Sequence, residues 1–184
     1  HLHGLDLVSG ESLWSHQVPN FRGMNILTPV PFGDGVFTST HRNQSFFYEV
    51  TRGADGFAVR EAWRHKAKGY MSTPVVVGQH AYLHLGNKRF TAIDLTSGES
   101  TWTTLPFEGQ YWSMAVRGDR ILALDESGSL LLIQADPEQF RLMDQRRVSE
   151  QDAWAHVAVA GDQVFVRERA AIATYRWPVE RPTE

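Results

Sequence analysis

The sequence predicts an all-β chain, a β-propeller of four-stranded antiparallel blades with about four blades present. Two observations carry this reading. The first is an internal repeat: Asp6-Leu7-Val8-Ser9-Gly10-Glu11-Ser12-Leu13-Trp14 returns as Asp94-Leu95-Thr96-Ser97-Gly98-Glu99-Ser100-Thr101-Trp102, with Asp, Gly and Trp in one register. The second is a shorter punctuation. Gly33-Asp34, Gly78-Gln79, Gly118-Asp119 and Gly161-Asp162 each stand between two apolar runs, with glycine separations of 45, 40 and 43 residues. Units of that length with apolar residues alternating at period two, and without a helical period, are the pattern of propeller blades.

The elements follow in order, with the strands of a blade lettered A (inner) to D (outer). Residues 1–18 hold a lone C and D pair, over 2–7 and 12–18. Residues 27–63 form a full blade with strands at 27–30, 35–40, 46–51 and 58–63. Residues 72–104 form a second, with strands at 73–77, 81–85, 90–94 and 100–104. A third fills 113–148, with strands at 114–116, 120–124, 129–134 and 140–143. Residues 155–177 supply only three strands, and 178–184 are a polar tail. Turns rich in Gly, Asn and Ser, such as Gly86-Asn87-Lys88-Arg89, supply the positive φ angles that tight hairpins need. Three closing strands and two opening ones are one too many for a single blade, and a propeller protects its edges by closing a ring. The chain is therefore expected to be the C-terminal part of a seven- or eight-bladed propeller, completed by a missing N-terminal half. A four-bladed ring, or a homodimer closing an eight-bladed one, is the other reading.

With 42% hydrophobic and 21% charged residues, the composition is that of a globular chain able to bury a core. A net charge of -3 gives no overall drive toward nucleic acid. There is no apolar run long enough to span a bilayer and no signal peptide in this chain. The absence of cysteine excludes disulfides and thiolate chemistry.

The Asp-x-x-Ser/Thr-Gly-x-x-x-Trp phrase, together with the Thr-Pro-Val strands at Thr28-Pro29-Val30 and Thr73-Pro74-Val75, resembles the pyrroloquinoline-quinone (PQQ-like) propeller repeat. That family contains quinoprotein dehydrogenases and non-catalytic relatives, including the propeller lipoprotein of the outer-membrane barrel-assembly machinery. The resemblance implies a bacterial location that is periplasmic, envelope-associated or extracellular. It gives Asp6, Gly10, Trp14, Trp63, Asp94, Gly98 and Trp102 an architectural role: the Gly permits a left-handed turn, Asp caps it, and Trp packs between blades. The third repeat has Asp136-Pro137-Glu138 and lacks the Trp.

A dehydrogenase of this family implies quinone with calcium on the axis, stacked on a Trp. Trp112 and Trp154 stand just before innermost strands and are the rings that would reach it; packing between blades is the other role for them. Asp125 falls in a hairpin turn, where capping accounts for it. The eight histidines show no carboxylate cluster at metal-ligand spacing, so no metal site is expected. His156, at the head of a strand A, either orders the blade entrance or meets a ligand. No catalytic residues, and no cofactor, are expected.

Sorting turns by propeller topology reveals a polarity that net charge hides. One face collects Glu11, Asp34, Asp55, Glu99, Asp119, Asp136, Glu138 and Asp162. The other collects Arg22, Arg42, Lys66, Lys68, Lys88, Arg89, Arg167 and Arg169, interleaved with Tyr70, Tyr111, Trp112 and Trp154; its acidic exceptions, Glu108, Asp125, Glu126, Asp152 and Glu168, fall mainly in the last two units, so the basic character is strongest around the first two full blades. The expected function is a non-enzymatic scaffold or protein-interaction module using Arg42, Lys88, Arg89, Tyr111, Trp112, Trp154, His156 and Arg167 against an acidic or extended protein partner. A quinone-dependent dehydrogenase is the first alternative. A carbohydrate- or polymer-binding propeller, with Tyr111, Trp112 and Trp154 as an exposed coplanar platform, is the second.

Overall fold

A computed structural model describes residues 1–176; the expected strand residue Trp177 and the tail 178–184 lie outside the described residues. The first hairpin pairs β1 (Leu2–Leu5) with β2 (Ser12–His16). A four-stranded sheet follows from β3 (Val30–Phe32), β4 (Gly35–Ser39), β5 (Ser45–Gly53) and β6 (Gly56–His65). The next contains β7 (Val75–Val77), β8 (His80–His84), β9 (Phe90–Asp94) and β10 (Ser100–Thr103). The third contains β11 (Trp112–Arg117), β12 (Arg120–Asp125), β13 (Ser129–Gln134) and β14 (Arg141–Arg147). The last has three strands, β15 (Ala158–Ala160), β16 (Gln163–Arg167) and β17 (Ile172–Arg176). Every sheet is an antiparallel meander in chain order, and the sheets do not close into a ring. This is the all-β propeller architecture the repeat predicts, present in part.

The period-two pattern places the core between sheets rather than within them. In β8, Ala81 and Leu83 pack with Phe37, Phe47 and Ile93 toward the preceding sheet. Tyr82, on the opposite face of the same strand, packs with Phe90, Trp112 and Ile121 toward the following one. A third cluster, Leu124, Leu130, Val157, Val164 and Val166, joins the last two sheets. Central strands are thus apolar on both faces, which explains their near-continuous burial.

The repeated phrase folds twice into one geometry. Asp94 Oδ1 accepts from the backbone N–H of Thr96 and of Ser97, both at 2.8 Å, and Asp6 Oδ1 accepts from Val8 at 3.0 Å and Ser9 at 2.7 Å. Gly98 and Gly10 take φ of 76° and 74°. These hydrogen bonds favour the ionised carboxylate, and hold both Asp6 and Asp94 below the ordinary carboxylate range. The surroundings differ completely. Leu95 is 1% exposed and a Cβ on Gly98 would stand 2.5 Å from the Trp63 ring, whereas Leu7 is 99% exposed and Gly10 faces open space.

Tryptophans tie successive sheets along their outer rim. Trp63, on β6, donates its indole N–H to the Leu95 carbonyl of the next sheet at 3.0 Å. Trp102, on β10, does the same to the Asp136 carbonyl at 2.9 Å. Although the third repeat departs from the motif there, Asp136 Oδ1 still accepts from the Glu138 N–H at 2.9 Å, so the turn presents its carbonyl to Trp102.

Candidate functional site

The turns between second and third strands, and the connections from one sheet to the next, form a single stitched layer. Arg42 N–H donates to the Gly69 carbonyl at 3.2 Å, Gly86 to Lys68 at 3.0 Å, Phe107 to Lys88 at 2.7 Å and Glu126 to Tyr111 at 2.9 Å. Serine hydroxyls of one unit accept from the backbone of the next: Ser39 from Gly69 at 3.0 Å, Ser72 from Trp112 at 2.9 Å, and Ser113 from Val157 at 2.9 Å. With the buried backbone groups satisfied in this way, the layer is a preorganised platform rather than a set of loose loops.

Between the first two four-stranded sheets this platform opens into a cleft of about 730 Å³. Arg42, His65, Lys66, Lys68, Tyr70 and Asn87 are among its lining residues, none of which is a carboxylate. Arg42, Lys66 and Lys68 are exposed, and none of the three has an ion-pair partner among the described residues. The wall is fixed by His41, whose Nδ1 lies 3.1 Å from the Tyr70 carbonyl and whose ring packs 5.1 Å from that of Tyr70. Burial, and then the neighbouring Lys66 charge, lower the His65 imidazole pKa below its ordinary value.

The backbone of this face carries an unexpected feature. The positive-φ residues other than glycine among those described are Arg22, Arg42 and Lys88, at 53°, 55° and 65°, and all are basic. A side chain in the left-handed region costs about 1–2 kcal/mol relative to a right-handed conformation. In the third sheet the corresponding turn uses Gly128, at φ 95°. The sequence signals this only through that comparison between repeats.

The predicted face residues separate into groups. Lys88 and Arg89 are partly buried and turned inward: Lys88 Nζ donates to the Glu108 carbonyl and Arg89 to the Thr104 carbonyl, each at 2.8 Å. Trp112 is corrected outright. It begins β11 and is 0% exposed, stacked on His84 at 4.6 Å and donating to Asp125 Oδ2 at 2.8 Å, so it reaches neither solvent nor a ligand on the axis. Asp125 caps the turn that follows β12, as expected, its Oδ1 accepting from the Ser127 N–H at 2.7 Å; it is also buried, and its Oδ2 accepts from Trp112 and Gly109. Both are drawn into the core because β11 begins two residues earlier and β12 ends one residue later than expected, which adds the pair Trp112↔Asp125.

At the far end of the layer, Tyr111 is buried and stacks on Trp154 at 5.5 Å and 11°, with the exposed His156 edge-on to Tyr111 at 6.5 Å. Burial raises the Tyr111 phenol pKa. Trp154 keeps 49% of its surface exposed. Tyr111, Trp112 and Trp154 therefore do not make a coplanar exposed platform; one ring of the three is available. Arg167 is exposed beside Trp154, with Asp152, Glu168 and Arg169, residues that the sequence did not single out as one group. Among the described residues no cluster of three or more His, Asp or Glu is placed to hold a metal ion, and no helix is long and apolar enough to cross a membrane.

Comparison with known proteins agrees with this architecture. The chain is similar to the crystal structure of BamB from Moraxella catarrhalis, with a TM-score of 0.72 at 13% identity over 99% of this chain. It spans about half of that protein's length, 52%. Two computationally designed proteins share the fold: Ika8, with a TM-score of 0.65 at 8% identity over 94% of this chain and 51% of the other, and Ika4, with 0.59 at 6% identity over 89% and 100%. No curated protein sequence matches the chain. A family profile does, over residues 1–104, and its description is outer membrane protein assembly factor BamB. On that match, joined to the PQQ-like repeat geometry, the chain belongs to the BamB family of propeller proteins.

Proposed function

We propose that the chain is a non-enzymatic scaffold, a protein-interaction module that docks an acidic, extended segment of a partner protein into the cleft between its first two four-stranded sheets. One observation supports this above the rest: Arg42, Lys66 and Lys68 converge on a cleft whose lining contains no carboxylate. Unpaired cations in a concave site attract an opposite charge and set its register, with a strength that falls as salt rises. Left-handed strain at Arg42 fits a side chain retained for what it contacts, since glycine would satisfy the backbone at lower cost. The stitched turn layer limits the ordering cost of binding. This role needs no quinone, calcium or other cofactor. The family description, an outer membrane assembly factor, accords with an organising role in the cell envelope.

The test is a charge-reversal comparison. A fluorescent oligoglutamate peptide is titrated into the full chain, into Arg42→Glu/Lys66→Glu/Lys68→Glu, and into a control reversing Arg117 and Arg120 on the opposite turns. The cleft variant should bind at least tenfold more weakly in low salt, with the control near wild type. Equal losses in both variants would reduce the effect to net charge and remove the cleft from the reading.

A further inference from the structure

We infer that Trp154 and the charged residues around it form a second binding site, independent of the basic cleft, for a single ring of a neutral carbohydrate chain. Trp154 stacks one face of its indole on Tyr111, so that ring is held in place from behind, and its remaining exposed surface borders a hollow of about 350 Å³. The hollow is completed by Asp152, Ala155, Arg167, Glu168 and Arg169. Arg169 is paired with Asp152, which fixes both groups at the rim. Glu168 is anchored through its backbone, its N–H donating to the Ala171 carbonyl at 2.9 Å.

The chemistry of this rim selects its ligand. A fixed, half-exposed indole offers a flat electron-rich face, which suits a flat ligand presenting polarised C–H bonds or another π system. Two carboxylates and two guanidiniums surround it, so the formal charge of the rim cancels and neither an acidic nor a basic ligand is favoured. What the rim does offer is carboxylate acceptors and guanidinium donors side by side, the two kinds of partner that hydroxyls, each both donor and acceptor, can use. A neutral, flat, hydroxyl-rich ring meets all three requirements. The opposite end of the layer, with its unpaired cations, has the reverse character and does not compete for such a ligand.

The test uses the full chain with maltohexaose, cellohexaose, xylohexaose and chitohexaose at millimolar concentration, read by saturation-transfer NMR and by calorimetry. At least one should receive saturation from the protein. Trp154→Ala should abolish that signal, and Trp154→Phe should retain part of it. Asp152→Asn/Arg167→Ala should weaken binding at least tenfold with the thermal midpoint preserved, which separates loss of the site from loss of the fold. The Arg42→Glu/Lys66→Glu/Lys68→Glu variant should bind sugar as wild type does. Absence of transfer to all four sugars, or transfer that survives Trp154→Ala, overturns the inference. So does capture of a protein partner that is lost in Trp154→Ala while no sugar binds, which would make the ring a protein-binding hot spot instead.

Discussion

Acidification from pH 7 toward pH 4 should remove about 3 kcal/mol of folding stability through one side chain, His84. Its ring is 0% exposed, stacked between strands on Trp112, and neither ring nitrogen has a hydrogen-bonding partner among the described residues. Burial holds the imidazole down at about 4, against the pull of Asp125 and with a smaller push from Lys88, where the ordinary value is 6.5. Between those values the unfolded chain carries a proton that the folded chain refuses. The stabilising effect of the neutral ring is therefore complete above about 6.5 and is lost as pH falls toward 4, at about 1.4 kcal/mol per pH unit. Asp6 and Asp94 contribute little in this window, because above about 3.8 the carboxylates are ionised in the unfolded chain as well, and what their turn N–H groups supply is lost only as pH falls below that value. Urea unfolding of wild type and His84→Phe at pH 7.0, 5.5 and 4.5 measures the effect, with phenylalanine keeping a ring against Trp112. The variant should lose most of the wild-type decline, leaving a shallow slope in the same direction from His65. Parallel declines in the two proteins would mean that His84 is already protonated or solvated in the fold, and the reasoning would fail.

The two copies of the repeat provide an internal control on glycine. Gly98→Ala should cost at least 2 kcal/mol, from left-handed strain and a collision with Trp63, while Gly10→Ala should cost about 1 kcal/mol from strain alone; thermal melts of the two variants compare them directly. Ser72→Ala leaves the buried Trp112 N–H without its acceptor and should destabilise by about 1–3 kcal/mol, read by urea denaturation, with Ser72→Thr recovering part of the loss. Arg42→Gly should raise the thermal midpoint by about 2–4 °C by relieving about 1 kcal/mol of strain, and at the same time weaken oligoglutamate binding. A rise in stability without a change in binding would dissociate Arg42 from the cleft's role.

The sheet architecture was legible because it rests on short-range signals: period-two burial, glycine turns and a phrase repeated in register. Strand ends were less so. Trp112 and Asp125 look like loop residues in sequence, yet a ladder that runs two positions beyond Met114↔Ala123 places them in the core. That extension is fixed by packing against His84 and Phe90 of the neighbouring sheet, a contact across some thirty residues of chain that no local pattern encodes. The basic face was legible as a charge sorting, because topology alone decides which turns share an end. Which of its cations are free was not: Lys88 and Arg42 occupy similar turns, and only the folded connections give Lys88 a carbonyl to hold while leaving Arg42 unpaired. The shelf around Trp154 was legible only as charges sharing that face, because the fold alone brings Asp152 from the preceding connection against Arg167, Glu168 and Arg169 of the β16–β17 turn.

The tryptophan bonds from Trp63 to Leu95 and from Trp102 to Asp136 have a consequence for how stability spreads along the chain. Each one hands the outer strand of a unit to the unit after it and to no other, so the coupling is between nearest neighbours in a row. Such a row frays from its ends: amide exchange should be slowest in β8, β9 and β12, which have a neighbour on both sides, and fastest in β1, β2 and β17. A register of this kind can be lengthened or shortened by whole units without redesigning any interface, because the handshake that admits a new unit is already written into the one before it.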